Sequence, residues 1–229
     1  MANEGKTAAR FVDEVLAACG SLGQKKFLAI VDQASRDDTR EALDRHAATV
    51  PELAVIWAPE NRGVVDAYLR GYDEALRTAA DWILEIDAGF SHQPSDIPPL
   101  LEKMRHGYDC VFGSRFCPGG SIVGGSFARY WISLGGTIVT NLLLGTKLTD
   151  MTSGFQLFTR DALERIVHRG IRSRGPFFQT EMKTYARELN VVEVPIQYRT
   201  PTHAVGSTAL ADAALNLWRL FRARLAGTL

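Results

Sequence analysis

Asp87 closes the short apolar run of residues 82–86 and opens the loop Asp87-Ala88-Gly89-Phe90-Ser91-His92-Gln93-Pro94. The pattern predicts a buried strand whose carboxyl end presents a carboxylate, the place where open α/β sheets bind ligands. A carboxylate there can meet a divalent cation or a phosphorylated substrate. Asp32 repeats the arrangement after residues 27–31. In a cleft it could accept from ring N–H and hydroxyl groups, although Ser35, Asp37 and Asp38 would equally cap a following helix. Asn61-Arg62-Gly63, with Ala67 and Gly71, opens a helix whose small residues allow close approach to a ligand and to a sheet. Arg115 and Arg129 carry planar forks that suit phosphate oxygens, and the bland alternative is two solvated surface arginines.

Those side chains need a scaffold. Apolar residues at helical spacing predict a helix over residues 6–19. Strands are expected at 27–31, 53–57, 82–86 and 110–112, with helices after 38, after 63 and over 97–104. Strands alternating with helices indicate an α/β fold with a largely parallel sheet. After Gly113 the chain loosens into glycine-rich loops and two long apolar helices. One of these, residues 127–144, is apolar nearly all round, and a lipid interface or a buried core would suit it equally. The 229 residues, 46% hydrophobic, are enough for one domain, whose pattern changes between residues 113 and 114. The charges balance at 26 basic and 26 acidic, so nothing global attracts nucleic acid. Three cysteines without C-x-x-C spacing suggest unpaired thiols in a reducing compartment. No signal peptide opens the chain, and no apolar run reaches the ~18–20 residues needed to span a bilayer.

In order and spacing, these segments resemble family 2 glycosyltransferases, and within them the polyprenol-phosphate (dolichol-phosphate) mannosyltransferases. The Asp87 loop is similar to D-A-D-L-[SQ]-H-x-P, and residues 31–39 to V-D-D-x-S-x-D-x-T. Gly113-Ser114-Arg115-Phe116 is similar to G-[ST]-R-[YF], and residues 129–135 to R-x-x-x-S-x-G. Asp150-Met151-Thr152-Ser153-Gly154-Phe155-Gln156, Gly175 to Glu181, and Glu193-Val194-Pro195-Ile196 match further family segments. The resemblance implies a Rossmann-like A-type nucleotide-diphospho-sugar transferase fold, with residues 1–113 as its nucleotide-sugar half, 114–229 as its acceptor-side half, and the helix of residues 127–144 at the membrane interface. It implies inverting transfer of a hexose, mannose from GDP-mannose, onto a polyprenyl phosphate at the cytoplasmic membrane surface, possible help from a membrane-anchoring partner, and Mg2+ or Mn2+ as cofactor.

By the same resemblance Asp87 holds metal or sugar-diphosphate, while Asn3, Glu4, Asp32, Ser35, Asn61 and Gly63 bind the nucleotide. Arg115, Arg129 and Ser133 hold the acceptor phosphate, and Gln179 and Glu181 face the sugar or the acceptor. His92 is read as loop packing. Four positions depart from the pattern: Gln33, Gly89, Gln156 and Thr208. Gly89 matters most, because it replaces the second carboxylate and so weakens the metal site. In the relatives an Asn-Glu pair follows a central first strand, and here only Met1 and Ala2 precede it. Either the start is misassigned, the chain is cut short, or the sheet closes differently. A UDP-sugar donor, another acceptor, or a weakly active binding homologue are the alternatives.

Overall fold

The computed structural model describes residues 1–124, 127–199 and 207–229; the side chains of residues 127–129, 207 and 208 lie outside that description. The first half alternates helix and strand. It runs α1 (Ala8–Ala18), β1 (Phe27–Val31), α2 (Thr39–Ala47), β2 (Leu53–Trp57), α3 (Val64–Leu76), β3 (Trp82–Glu85), α4 (Ile97–Arg105) and β4 (Cys110–Ser114). All five residues of β4 are buried, as the continuous apolar run of a strand covered on both faces requires. Pro98 and Pro99 sit in the first turn of α4, where the helix has no amide bond to lose.

The second half adds β5 (Ser121–Val123), α5 (Phe127–Leu144), β6 (Gln156–Thr159), α6 (Arg160–His168), α7 (Phe178–Tyr185), β7 (Val191–Pro195), β8 (Gln197–Arg199) and α8 (Ser207–Leu225). Thr159 caps α6 by accepting from the Ala162 amide at 3.2 Å. The main sheet has the order β3-β6-β4-β7, with β4 and β7 parallel and β6 antiparallel to both its neighbours. β5 and β8 form a short parallel ribbon.

β1 pairs in parallel with β2 alone, and β3 with β6 alone. Among the described residues the sheet is therefore two ladders, each with an open edge where a central strand was expected. Side chains close this break. Below it, α1 puts Ala8 and Val12 against Ala29 and Val31 of β1, and Phe11 and Val15 in a cluster with Val111 and Leu157 of the main sheet and Phe155 just before β6. Above it, α3 packs Val65 and Tyr72 with Ile83 of β3 and Leu28 of β1. Gly71 faces β1, and a Cβ there would make an ordinary contact with Ile30 at 3.5 Å.

Candidate functional site

The ends of β1 and β3 are joined by side chains of α3 and by the N-terminal residues. Asp32, buried at the end of β1, accepts from the Ala34 amide at 2.9 Å and from Asn61 Nδ2 at 3.4 Å. Asn3 is sewn to the same loop. Its amide donates to Ser35 Oγ at 3.0 Å and its Oδ1 accepts from the Arg36 amide at 2.9 Å. The Glu4 amide donates to Thr39 Oγ1 at 2.7 Å. Thus Asn3, Glu4, Asp32, Ser35 and Asn61 come together in space. Gly63 caps α3 in an extended conformation, and a Cβ there would meet nothing within 4 Å, so open space lies beside it.

Asp87 lies just past the end of β3. Its Oδ1 accepts from the Tyr68 hydroxyl of α3, and its amide donates to His92 Nδ1 at 3.3 Å. Burial raises the Asp87 carboxyl to about 6, against the opposing pull of Arg115 and the Met1 ammonium. Gly89 has φ +77°, and a Cβ built on it would lie 2.3 Å from Glu4 Oε1. The place of a second loop carboxylate is thus taken by the carboxylate of Glu4. Asp87 and Glu4 are hard oxygen donors of the kind Mg2+ and Mn2+ prefer. Among the described residues no group of three or more His, Cys, Asp or Glu side chains could hold a metal, so an ion held by Asp87 and Glu4 would complete its shell with other oxygens, such as water or a diphosphate.

His92 is buried between the rings of Phe155 and Tyr198, at centroid distances of 5.1 and 5.2 Å. Burial and the nearby Arg115 push its pKa down to about 3, so it is neutral. Its bridge to Tyr198, with the Arg199 amide donating to the Ser91 carbonyl at 2.8 Å, ties the Asp87 loop to β8.

Arg115 leaves β4 as a buried fork. Its Nε donates to Asp150 Oδ2 at 2.7 Å and its Nη2 to Asp150 Oδ1 at 2.8 Å. The Thr152 and Ser153 amides also donate to Asp150. Burial alone would raise the Asp150 pKa, but Arg115 outweighs it and holds Asp150 far below the usual carboxylate range. Lys183 of α7, equally buried, donates to the Asp150 carbonyl at 2.7 Å, and burial lowers its pKa to about 8. Arg129 lies in the first turn of α5, but its side chain is outside the described residues, as are those of Ser207 and Thr208. Ser133 follows one turn later, half-buried.

Gln179 and Glu181 are both inside the protein. Gln179 donates to Glu85 and accepts from Gln156. Glu85 also takes the Tyr72 hydroxyl, and burial raises its pKa to about 7. Glu181 accepts from Ser173 Oγ at 2.6 Å, Tyr185 at 2.9 Å and Arg219. With that many donors it braces α7 against α8. Sequence reasoning missed Tyr68, Tyr72, Glu85 and Lys183. The Tyr68–Tyr72 spacing of four was the only signal in the chain, and it reads as a helix face.

Comparison with known proteins fits this architecture. The description "Glycosyl transferase family 2" matches residues 1–167. The undecaprenyl-phosphate mannosyltransferase of Micrococcus luteus is 37% identical over 171 residues, 74% of this chain and 70% of that protein. The polyprenol monophosphomannose synthase of Mycolicibacterium smegmatis is 31% identical over 199 residues, 86% of this chain and 74% of that protein. Among solved structures, glucosyl-3-phosphoglycerate synthase from Mycobacterium tuberculosis, in complex with Mn2+ and UDP-glucose, matches with TM-score 0.67 at 17% identity, covering 97% of this chain and 76% of that one. The last likeness is one of fold, the A-type fold of nucleotide-diphospho-sugar transferases. The chain is a glycosyltransferase and belongs to family 2.

Proposed function

We propose that the protein transfers mannose from GDP-mannose to a polyprenyl phosphate at the cytoplasmic face of a membrane. One observation carries the reading: the Asp87 carboxylate feels both the Arg115 guanidinium, which is paired with Asp150, and the Met1 ammonium, whose charge Asp32 also feels, and this is the position a group would need between a donor and an acceptor. The two relatives, an undecaprenyl-phosphate mannosyltransferase and a polyprenol monophosphomannose synthase, support this choice of acceptor and sugar.

In this reading Asp32, Asn61, Asn3 and Ser35 hold base and ribose, and the open space beside Gly63 receives the diphosphate. Asp87 and Glu4 would hold Mg2+ or Mn2+, which when bound neutralises charge on the leaving diphosphate. Among the described residues Arg115 donates Nε and Nη2 to Asp150 and Thr152, and Nη1 would meet an acceptor phosphate oxygen. Arg129 and Ser133, on one face of α5, would complete that hold. A phosphate is already ionised at neutral pH, so it needs little general-base help to attack the anomeric carbon in line and invert it. Catalysis is then alignment together with charge stabilisation.

The test incubates the protein with Mg2+, undecaprenyl phosphate and radiolabelled GDP-mannose, with UDP-glucose in parallel. Mannosyl transfer to lipid, well above glucosyl transfer, is the expected result. Preference for UDP-glucose would move the donor assignment to the amide of Gln33. Tight GDP binding with no transfer at saturating metal would overturn the reading.

A further inference from the structure

Two tyrosines about one turn apart on α3 meet two acids that stand two residues apart, at the end of β3 and just past it. The Tyr68 hydroxyl donates to Asp87 Oδ1, and the Tyr72 hydroxyl donates to Glu85 Oε2. The match is one of pitch. Four residues of helix rise about 6 Å. Two residues of strand advance about 6.6 Å, so a helix lying antiparallel to a strand can present both pairs in step. The two rungs differ in their surroundings. Tyr72 and Glu85 are buried, and Gln179 and Gln156 also donate to Glu85, so that rung is closed within the core. The Tyr68 rung is open, because the Asp87 side chain is partly exposed.

We propose that Tyr68 is a positioning residue of the donor site: its hydroxyl fixes one oxygen of Asp87 and leaves Oδ2 as the one that a diphosphate-bound Mg2+ or Mn2+ meets. The inference rests on the metal role proposed for Asp87 above and adds the group that aims it. The Tyr68 ring is itself held. It packs on Phe178 of α7 at a centroid distance of 4.9 Å, and Phe178 is buried, so the hydroxyl has a set position. On the other oxygen, His92 Nδ1 lies 3.6 Å from Oδ2, but that nitrogen accepts from the Asp87 amide and so brings no proton. Gly89 leaves Asp87 and Glu4 as the carboxylates at this place, and with two ligands the direction of each counts for more. A carboxylate free to rotate gives up that freedom when it binds a cation, whereas one already held by a second group does not. A phenol donates one hydrogen bond and carries no charge at neutral pH. It therefore orients Asp87 without cancelling the charge that a cation needs.

The experiment compares Tyr68→Phe with Tyr72→Phe in the full chain. Tyr68→Phe keeps the ring on Phe178 and removes only the hydroxyl. It should weaken Mn2+ binding in the presence of GDP about tenfold or more, read by electron paramagnetic resonance. GDP affinity in EDTA, read by calorimetry, should be unchanged, and thermal melting nearly so. Where transfer is followed, kcat should fall by a similar factor with the acceptor KM unchanged. Tyr72→Phe should do the opposite. It should lower the melting temperature, because a buried carboxyl loses a donor, and leave Mn2+ affinity as it is. Native Mn2+ affinity in Tyr68→Phe would overturn the proposal. So would equal weakening by both variants, which would make the ladder merely structural, or a loss of metal-free GDP affinity, which would put the hydroxyl on the nucleotide itself. A native chain that binds no Mn2+ with GDP would remove the metal role of Asp87 and the proposal with it. If Mn2+ binding behaves as stated while no lipid phosphate receives mannose, the proposed function fails and the positioning role of Tyr68 stands.

Discussion

The space beside the Gly89 backbone is filled by the Glu4 carboxylate, so positions 4 and 89 compete for one charge. Gly89→Asp alone should not strengthen the proposed metal site. It forces two carboxylates together and places a side chain at φ +77°, where aspartate is tolerated but strained. The double variant Glu4→Ala/Gly89→Asp should recover much of the lost Mn2+ affinity, with a coupling of about 1 kcal/mol or more between the two positions. Manganese titration followed by electron paramagnetic resonance reads this directly, and additive effects would sink it. Arg115 has a structural debt too. Arg115→Ala should cost about 3–5 kcal/mol in denaturant unfolding, because it leaves Asp150 buried without its cation. Arg115→Lys should recover part of the stability and little of the acceptor binding, since an ammonium cannot reproduce the fork. An alanine variant as stable as the native chain would contradict the bidentate pair. Asp32 and Asp87 were legible in the sequence because a carboxylate ending an apolar run has a fixed position in an α/β fold. The role of Glu4 was not legible, because its contact with Gly89 spans 85 positions of chain and depends on how the two ladders close.

Between elements, the least legible contacts are those that α3 and α7 make with β3. The first-half strands and helices follow their apolar periodicity, and α5 coincides with the apolar segment 127–144. β6 and β8 are four and three residues long, too short to show a period, and β6 reverses direction within an otherwise parallel sheet. α7 buries seven of its eight residues, polar ones included, so it has no hydrophobic stripe to read. One of these residues, Gln179, joins Tyr72 of α3 and Gln156 of β6 in a buried polar group around Glu85 of β3. Burial holds the Glu85 carboxyl near 7 against an ordinary 4.5. The sign follows from linkage. A folded-state pKa above the unfolded value stabilises the protein fully below about 4.5, and that contribution disappears as pH rises through about 7. Raising pH across this window should therefore lower stability by a few kcal/mol, the order of a shift of that size. Glu85→Gln keeps the shape without the ionisation, so it should flatten the dependence. Denaturant unfolding from pH 4.5 to 8 measures it, and identical slopes for the two proteins would remove Glu85 as the cause.

Across the whole molecule, the β1–β2 ladder is attached to the main sheet by side chains and not by strand pairing among the described residues. Phe11 is central to the attachment. It is 1% exposed, meets Phe27 of β1 and Phe90 of the Asp87 loop edge-on, and lies among the apolar side chains of β4, β6 and β7. Apolar packing without strand hydrogen bonds resists local opening less than a paired sheet does. Amides of Phe27–Val31 and Leu53–Trp57 should thus exchange with deuterium faster than those of Cys110–Ser114 and Gln156–Thr159. Phe11→Ala should widen the difference, since it removes an aromatic ring from beneath both ladders at a cost of about 3–5 kcal/mol. A nucleotide should narrow it. Asp32 ends the β1 ladder and Asp87 ends the main sheet, so a ligand held by both lips binds only when the ladders are docked. GDP with Mg2+ at a hundredfold excess over its dissociation constant would add about 2.7 kcal/mol of protection to the β1–β2 amides, provided their opening abolishes binding. Uniform exchange across all four strands, or protection by GDP confined to residues 87–94, would show that the ladders move as one body and that the nucleotide does not join them.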